Sequence, residues 1–170
     1  LVWAAGGVQN EPQIPGLNDQ YVMTSLEFFR EEKKIRGPRV LVIGAGRTGL
    51  EIAEKLGKEG YEVVATKRTD PMGSMMEMIT RNLLLKRIHN MGKVFLMPHT
   101  TVRAFYPGRV DIEQDGSATS LETFQTVVLA SGLMSSPGPG EEIRREVPET
   151  AVVGDASDVR DIFSAVQAGY

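Results

Sequence analysis

The 170-residue sequence contains no cysteine. Within this sequence, that excludes a disulfide framework, a thiolate-ligated zinc or iron–sulfur site and a redox-active thiol. Histidine is almost as scarce, with His89 and His99 the only two. One closes a helical pattern and the other stands beside Pro98, so neither reads as a ligand or an acid–base group, and no metal site is expected. Excess positive charge is also lacking. A net charge of −3 argues against a general nucleic-acid binder, which is basic overall. No apolar run reaches about 18 residues, so no membrane span is expected. The remaining composition, 41% hydrophobic and 24% charged, is ordinary for a soluble globular protein, and a cytoplasmic location is expected. The opening residues do not follow the pattern of a secretory leader. Both ends fall inside apolar patterns, so the expectation is a portion of a longer protein.

Leu1 to Ala4 reads as a short strand, followed to Asp19 by a stretch too rich in breakers for regular structure. Thr24 with Glu27 three residues on predicts a capped helix start. "VLVIGAG" reads as a buried strand entering a glycine turn, "TGLEIAEKLGKEG" as an amphipathic helix and "EVVAT" as the next strand. Residues 75–90, "MMEMITRNLLLKRIHN", predict a second long helix, with Met72, Met75, Met76 and Met78 as adaptable core filling. Arg81, Lys86 and Arg87 read as a solvated face of that helix. The period then changes, and "KVFLMP", "TVRAFYPG", "RVDIEQDG" and "TFQTVVLASG" are strand-like. One more strand, "TAVVGD", precedes a last helical pattern, "VRDIFSAVQAG". Alternating strands and helices followed by a β-rich run predict an α/β fold, a parallel sheet with an antiparallel appendage.

The sharpest motif is "VLVIGAGRTGLE", in which Gly44, Gly46 and Gly49 fit G-x-G-x-x-G. Gly44 suits the tight turn, Gly46 lets the backbone approach a pyrophosphate, and Gly49 allows the helix to pack close to the strand. The helix start at Ala45, Arg47 and Thr48 would turn free N–H groups and the positive end of the helix dipole toward the phosphates. The motif follows a strand, opens a helix, and is followed about 20 residues later by another strand end, which is the context it needs.

That strand end carries Lys67 and Arg68. The dinucleotide-binding pattern places an acid there to hold a ribose 2′-hydroxyl and so favour NAD. A 2′-phosphate would be repelled by an acid and attracted by this pair. NADP(H) is therefore expected over NAD(H).

Four motifs in order resemble the pyridine nucleotide–disulfide oxidoreductase superfamily: "LVWAAGG", "VIGAGRTGLE", "VVLASGLMSSPG" and "VVGDASDVRDIFSAVQAG". "IPGLN" and "GDASDVRDIFSAVQAG" are most similar to the C-terminal dinucleotide-binding region of NADH:flavin oxidoreductases of the 2,4-dienoyl-CoA reductase and 2-enoate reductase type, whose relatives include trimethylamine dehydrogenase. The resemblance implies a Rossmann-like NAD(P)H domain at 22–133 inserted between partial edges of an FAD domain at 1–21 and 134–170. It implies a role for Glu51 near the nicotinamide. It also implies cofactor contacts at Ser131 and Gly132, and at Gly154 and Asp155 on the ribityl side of the flavin. Electrons would pass from NAD(P)H to FAD, with an iron–sulfur cluster and FMN in the part of the parent protein outside this sequence. The FAD domain's own glycine motif would lie upstream, so this portion alone is expected to bind FAD poorly and to be inactive. The expected partners are dinucleotide cofactors and the remainder of the parent chain. Two other readings stand beside this one. The first is a structural domain that holds ADP without catalysis. The second is a short dehydrogenase, disfavoured because no Tyr-x-x-x-Lys pair occurs and another strand precedes the glycine motif.

Overall fold

The computed structural model describes residues 1–17, 19–147 and 149–169. The first strands are β1 (Val2–Trp3) and β2 (Gly7–Gln9), the latter lying inside the breaker-rich stretch expected to be irregular. β3 (Val22–Thr24) leads directly into α1 (Ser25–Phe29) through the predicted capping box. Thr24 Oγ1 accepts from Glu27 N–H at 3.2 Å, and Glu27 Oε2 accepts from Thr24 N–H at 2.7 Å. β4 (Arg39–Ile43), α2 (Arg47–Lys58) and β5 (Glu62–Thr66) form a strand–helix–strand unit, continued by α3 (Met78–Asn90) and β6 (Val94–Met97). α3 begins at Met78 rather than 75 because Glu77 caps it, its side chain accepting from Ile79 N–H and Thr80 N–H. Then come β7 (Thr100–Tyr106), β8 (Arg109–Gln114), β9 (Ser117–Glu122), β10 (Thr126–Leu129), β11 (Leu133–Ser135), α4 (Glu141–Glu146), β12 (Ala151–Val152) and α5 (Ile162–Gln167).

The chain divides into a central unit, Glu11–Gly132, and an outer unit, Leu1–Asn10 with Leu133–Tyr170. The sequence reading drew these lines at 21/22 and 133/134. Residues 11–17 fall in the central unit: Phe105 N–H donates to Pro15 O at 2.8 Å, and Ile14 and Leu17 pack on its second apolar cluster.

The central unit is built on a parallel sheet of five strands, ordered β3-β10-β4-β5-β6. Alternation along the strands separates two cores. Val40, Val42, Val63, Ala65 and Val128 face Leu50, Ile52 and Leu56 of α2, Leu84 and Ile88 of α3, and Phe28 of α1. Leu41, Val64, Val127 and Leu129 point the other way, onto Val102, Val110 and Ile112 of the antiparallel sheet β7-β8-β9. The result is a three-layer, Rossmann-like α/β fold with an antiparallel β layer. Each buried Val or Leu contributes about 1.5–3 kcal/mol, and a one-residue slip of β4 would invert both faces at once. Its register against β5, Arg39 opposite Glu62 through Ile43 opposite Thr66, is therefore strongly specified.

In the outer unit β1 pairs in parallel with β12, and β2 pairs antiparallel with β11. Among its described residues Pro139 and Ala156 are buried, while Ile162, Phe163 and Val166 of α5 are exposed at 85%, 69% and 55%.

Candidate dinucleotide site

From β4 the chain winds outward through β5 to β6, then returns to set β10 on the opposite side of β4. The carboxyl ends of β4 and β10 flank the point where strand order reverses, the place where open α/β sheets bind ligands. β4 ends there in the glycine turn. β10 ends there in Ala130, Ser131 and Gly132, with Ala130 N–H donating to Ile43 O at 2.8 Å.

The three motif glycines meet different neighbours. Gly44 has φ +103°, and a methyl group on it would lie 2.4 Å from Ala130 O. A methyl on Gly49 would lie 1.7 Å from Gly44 O. The fold itself therefore requires glycine at both positions. Gly46 has an ordinary φ of −71°, and a methyl there would meet no protein atom within 4 Å. Nothing in the protein demands glycine at Gly46, so the space in front of it is left for something else.

Gly46 is also the N-cap of α2 and supplies no side-chain acceptor, so the first-turn N–H groups lack the usual cap. The first α-helical bond there runs from Leu50 N–H to Gly46 O at 3.1 Å. Ala45 is buried, whereas Arg47, Thr48 and Glu51 are exposed. Free amides, a helix dipole and open space at one point suit a pyrophosphate.

β5 lies beside β4, and Gly44 N–H donates to Thr66 O at 3.0 Å, which brings Lys67 and Arg68 next to the glycine turn. Their side chains differ. Lys67 Nζ is tied into its own loop, donating to Thr69 Oγ1 at 2.7 Å and Pro71 O at 3.1 Å. Arg68 is exposed, and no hydrogen bond or ion pair joins its side chain to a described residue. The loop after them folds back over the turn, Gly73 N–H donating to Ala45 O at 2.9 Å.

Two sequence expectations need correction here. The methionines divide: Met72 and Met76 are buried in the first core, but Met75 and Met78 are exposed at 83% and 65%. The cationic face of α3 also divides. Arg87 is exposed and pairs with Glu54 of α2, but Arg81 is partly buried and its Nε–H has no acceptor among the described residues. Helical spacing places Arg81 on the same face as buried Leu84 and Ile88, three and seven residues on, and Gly73 of the folded-back loop lies beside its Cγ. His89 and His99 are both exposed.

Gly154 and Asp155 belong to the outer unit, in a short 3-10 turn after β12. Gly154 has φ +61°, and Asp155 Oδ1 accepts from Arg160 N–H at 3.4 Å. A cavity of about 330 Å³ lies at the other end of the central sheet, beside Tyr21, Lys33, Arg36 and Thr126, and includes none of the motif residues. Lys33 there is already bound to Glu27 at 2.8 Å. Among the described residues no helix is long and apolar enough to cross a membrane.

Comparison with known proteins shows the family and the fold. The chain is 28% identical over its whole length to a bilirubin reductase of Mediterraneibacter gnavus, of which it spans 26%. It is 24% identical over its whole length to a cinnamate reductase of Clostridium sporogenes, of which it spans 25%. Cinnamate is a 2-enoate, so this relative is of the reductase type that the motifs resemble. The chain thus covers about a quarter of the length of the curated relatives it matches. A solved 2-naphthoyl-CoA reductase shares the fold with a TM-score of 0.84 and 22% identity, over 99% of this chain and 26% of that one. The model of the pyridine nucleotide-disulphide oxidoreductase family matches residues 1–157, and the chain belongs to that family.

Proposed function

We propose that the central unit binds NAD(P)H and, in the complete protein, holds the nicotinamide for hydride transfer to FAD. The observation that carries this reading is Gly46, a motif glycine that no protein neighbour requires, standing open before an uncapped helix N-terminus. The nicotinamide and flavin, when bound, supply the redox chemistry; the protein supplies position and charge. The turn Gly44–Gly49 would take the pyrophosphate on backbone N–H groups. Ser131 and Gly132 would border it across the switch point, and Glu51, one turn into α2, would lie toward the nicotinamide. Exposed and unpaired Arg68 would meet a 2′-phosphate, with Lys67 holding the loop and adding charge at longer range. NADPH is then favoured over NADH.

The outer unit is proposed to be an edge of the FAD domain, with Gly154 and Asp155 toward the flavin. Its exposed Ile162, Phe163 and Val166 support that reading, because such apolar side chains need cover from a larger domain. An iron–sulfur cluster and FMN would lie in regions outside this sequence.

Gly46→Val tests the site. The variant should fold with an unchanged unfolding midpoint and lose affinity for NADH, NADPH and 5′-ADP in titration calorimetry. Unchanged affinity in a folded variant removes the assignment. Reduction of an artificial acceptor by NADPH in the complete protein separates hydride transfer from a domain that only holds ADP.

A further inference from the structure

Arg81 is the first residue of α3 to make an intrahelical bond, its N–H donating to Glu77 O at 2.9 Å. Its side chain runs under the loop that covers the glycine turn. A methyl on Gly73 would come within 3.3 Å of Arg81 Cγ and 2.9 Å of Leu50 Cδ1, and Gly73 itself is bonded to Ala45 O. The arginine stem therefore lies beside the loop that is bonded to the glycine turn. Its Nε is buried without an acceptor, and no described residue bonds its guanidinium. The acids at this end of the sheet are otherwise placed. Glu77 caps α3, Asp70 Oδ1 accepts from Met72 N–H at 3.2 Å, and Glu51 is exposed on α2 without a partner among the described residues.

A buried donor on a cation with no acceptor is costly, and native proteins rarely keep one without a reason. Several arginines of the central unit away from the glycine turn are paired. Arg39, Arg87, Arg103 and Arg109 each have a carboxylate. Among the described residues Arg81 has none, and it lies beside Gly73, whose N–H is bonded to Ala45 O of the glycine turn.

We propose that Arg81 is a ligand-contacting residue of the dinucleotide site, its guanidinium supplying counter-charge to the pyrophosphate at the N-terminus of α2. This rests on the dinucleotide reading above. The pyrophosphate is common to NADH, NADPH and ADP, so Arg81 would set overall affinity, whereas Arg68 would set the choice between NADPH and NADH.

Titration calorimetry on Arg81→Met, which keeps the apolar arm and removes the charged fork, tests this. A charge-assisted hydrogen bond of ordinary strength corresponds to about tenfold in affinity or more. Binding of NADH, NADPH and ADP should weaken together by that factor. The melting temperature without ligand should hold or rise, because a buried donor lacking an acceptor has been removed. Arg81→Lys, which restores charge without the fork, should recover part of the loss and serves equally if the methionine variant folds poorly. Affinities within twofold of the unmutated protein in a folded variant would overturn the proposal, as would a loss confined to NADPH. If the unmutated protein binds none of the three ligands, the dinucleotide reading falls and takes this proposal with it.

Discussion

The two ends of the central parallel sheet are built on opposite rules. At the amino end, Arg39 of β4 donates to Glu62 Oε1 at 2.8 Å and Glu122 Oε2 at 2.9 Å, reaches Thr123 O, and stacks over Phe124 at 5.0 Å. Its own N–H goes to Gln125 Oε1 at 3.1 Å, and Thr126 Oγ1 closes a two-way bond with the Arg36 backbone. At the carboxyl end, Arg47, Arg68 and Arg81 face no carboxylate among the described residues, and the helix start has no side-chain cap. One end satisfies its polar groups internally and so contributes to stability. The other leaves donors and positive charge unanswered, which costs stability and is understandable where a polyanion binds. The difference separates scaffold from site without reference to any relative.

The comparison can be broken most severely at the glycines. Gly49→Ala places a methyl 1.7 Å from Gly44 O, a backbone atom that cannot step aside. Overpacking of that kind should cost about 3 kcal/mol or more, seen as a large fall in the denaturation midpoint. Gly46→Ala, three residues earlier, meets nothing and should shift stability by no more than about 0.5 kcal/mol. Equal destabilisation by the two would mean that Gly46 is as structural as Gly49, and the distinction on which the site rests would disappear.

At the scaffold end, Arg39→Ala removes two charge-assisted bonds from a side chain that is largely covered, with 23% exposure. About 1.5–3 kcal/mol of stability should be lost, since Glu62 is left without its partner. Arg68→Ala at the other end should leave stability unchanged. Its effect should appear only in binding, as about a tenfold loss for NADPH with NADH nearly unaffected. The loss should shrink with salt, because exposed charges are screened over about 8–10 Å. Lys67→Glu should reverse the cofactor preference, and it also breaks the bonds to Thr69 and Pro71. The two changes share one phosphate and should not add. Equal affinity of the unmutated protein for NADH and NADPH at low salt would end the argument for a 2′-phosphate site.

Much of this was legible in the sequence, and what escaped has physical causes. The β4–turn–α2 unit was readable because an apolar run, three spaced glycines and an amphipathic helix all point the same way. β9 (Ser117–Glu122) was not, since its residues are mostly exposed and polar. Pairing with β8 forms that edge strand, not an apolar pattern. α4, "EEIRRE", buries no residue and so shows no helical stripe. Arg81 was hidden for a different reason. It lies on the helix face of buried Leu84 and Ile88, but its charge reads as solvated, and the packing of the loop at Gly73 beside it leaves no trace in the local period. The division between Lys67 and Arg68 was equally invisible, because two adjacent cations look alike until one is bound to its own loop.

The smallest expected effect concerns acid. Glu54 of α2 binds Lys58 at 3.0 Å and Arg87 of α3, fastening the two helices away from the open end. Burial pushes its carboxyl up, but the hydrogen bonds and charges of Arg87 and Lys58 outweigh that and hold it below the ordinary glutamate value of 4.5. Glu27 is held low in the same way, burial opposed by the Lys33 hydrogen bond and the Thr24 N–H. A carboxyl whose value is depressed by folding stabilises the protein above its unfolded value, and that contribution fades as pH falls below about 4.5 through the folded value. These side chains are part-exposed, so each ion pair should contribute only about 0.2–1 kcal/mol. Glu54→Gln should therefore lower stability slightly at pH 7 and flatten part of its decline under acid, without changing dinucleotide affinity. A change in affinity from Glu54→Gln would show that the helix fastening and the open end are coupled, and that scaffold and site are less separate than the two ends of the sheet indicate.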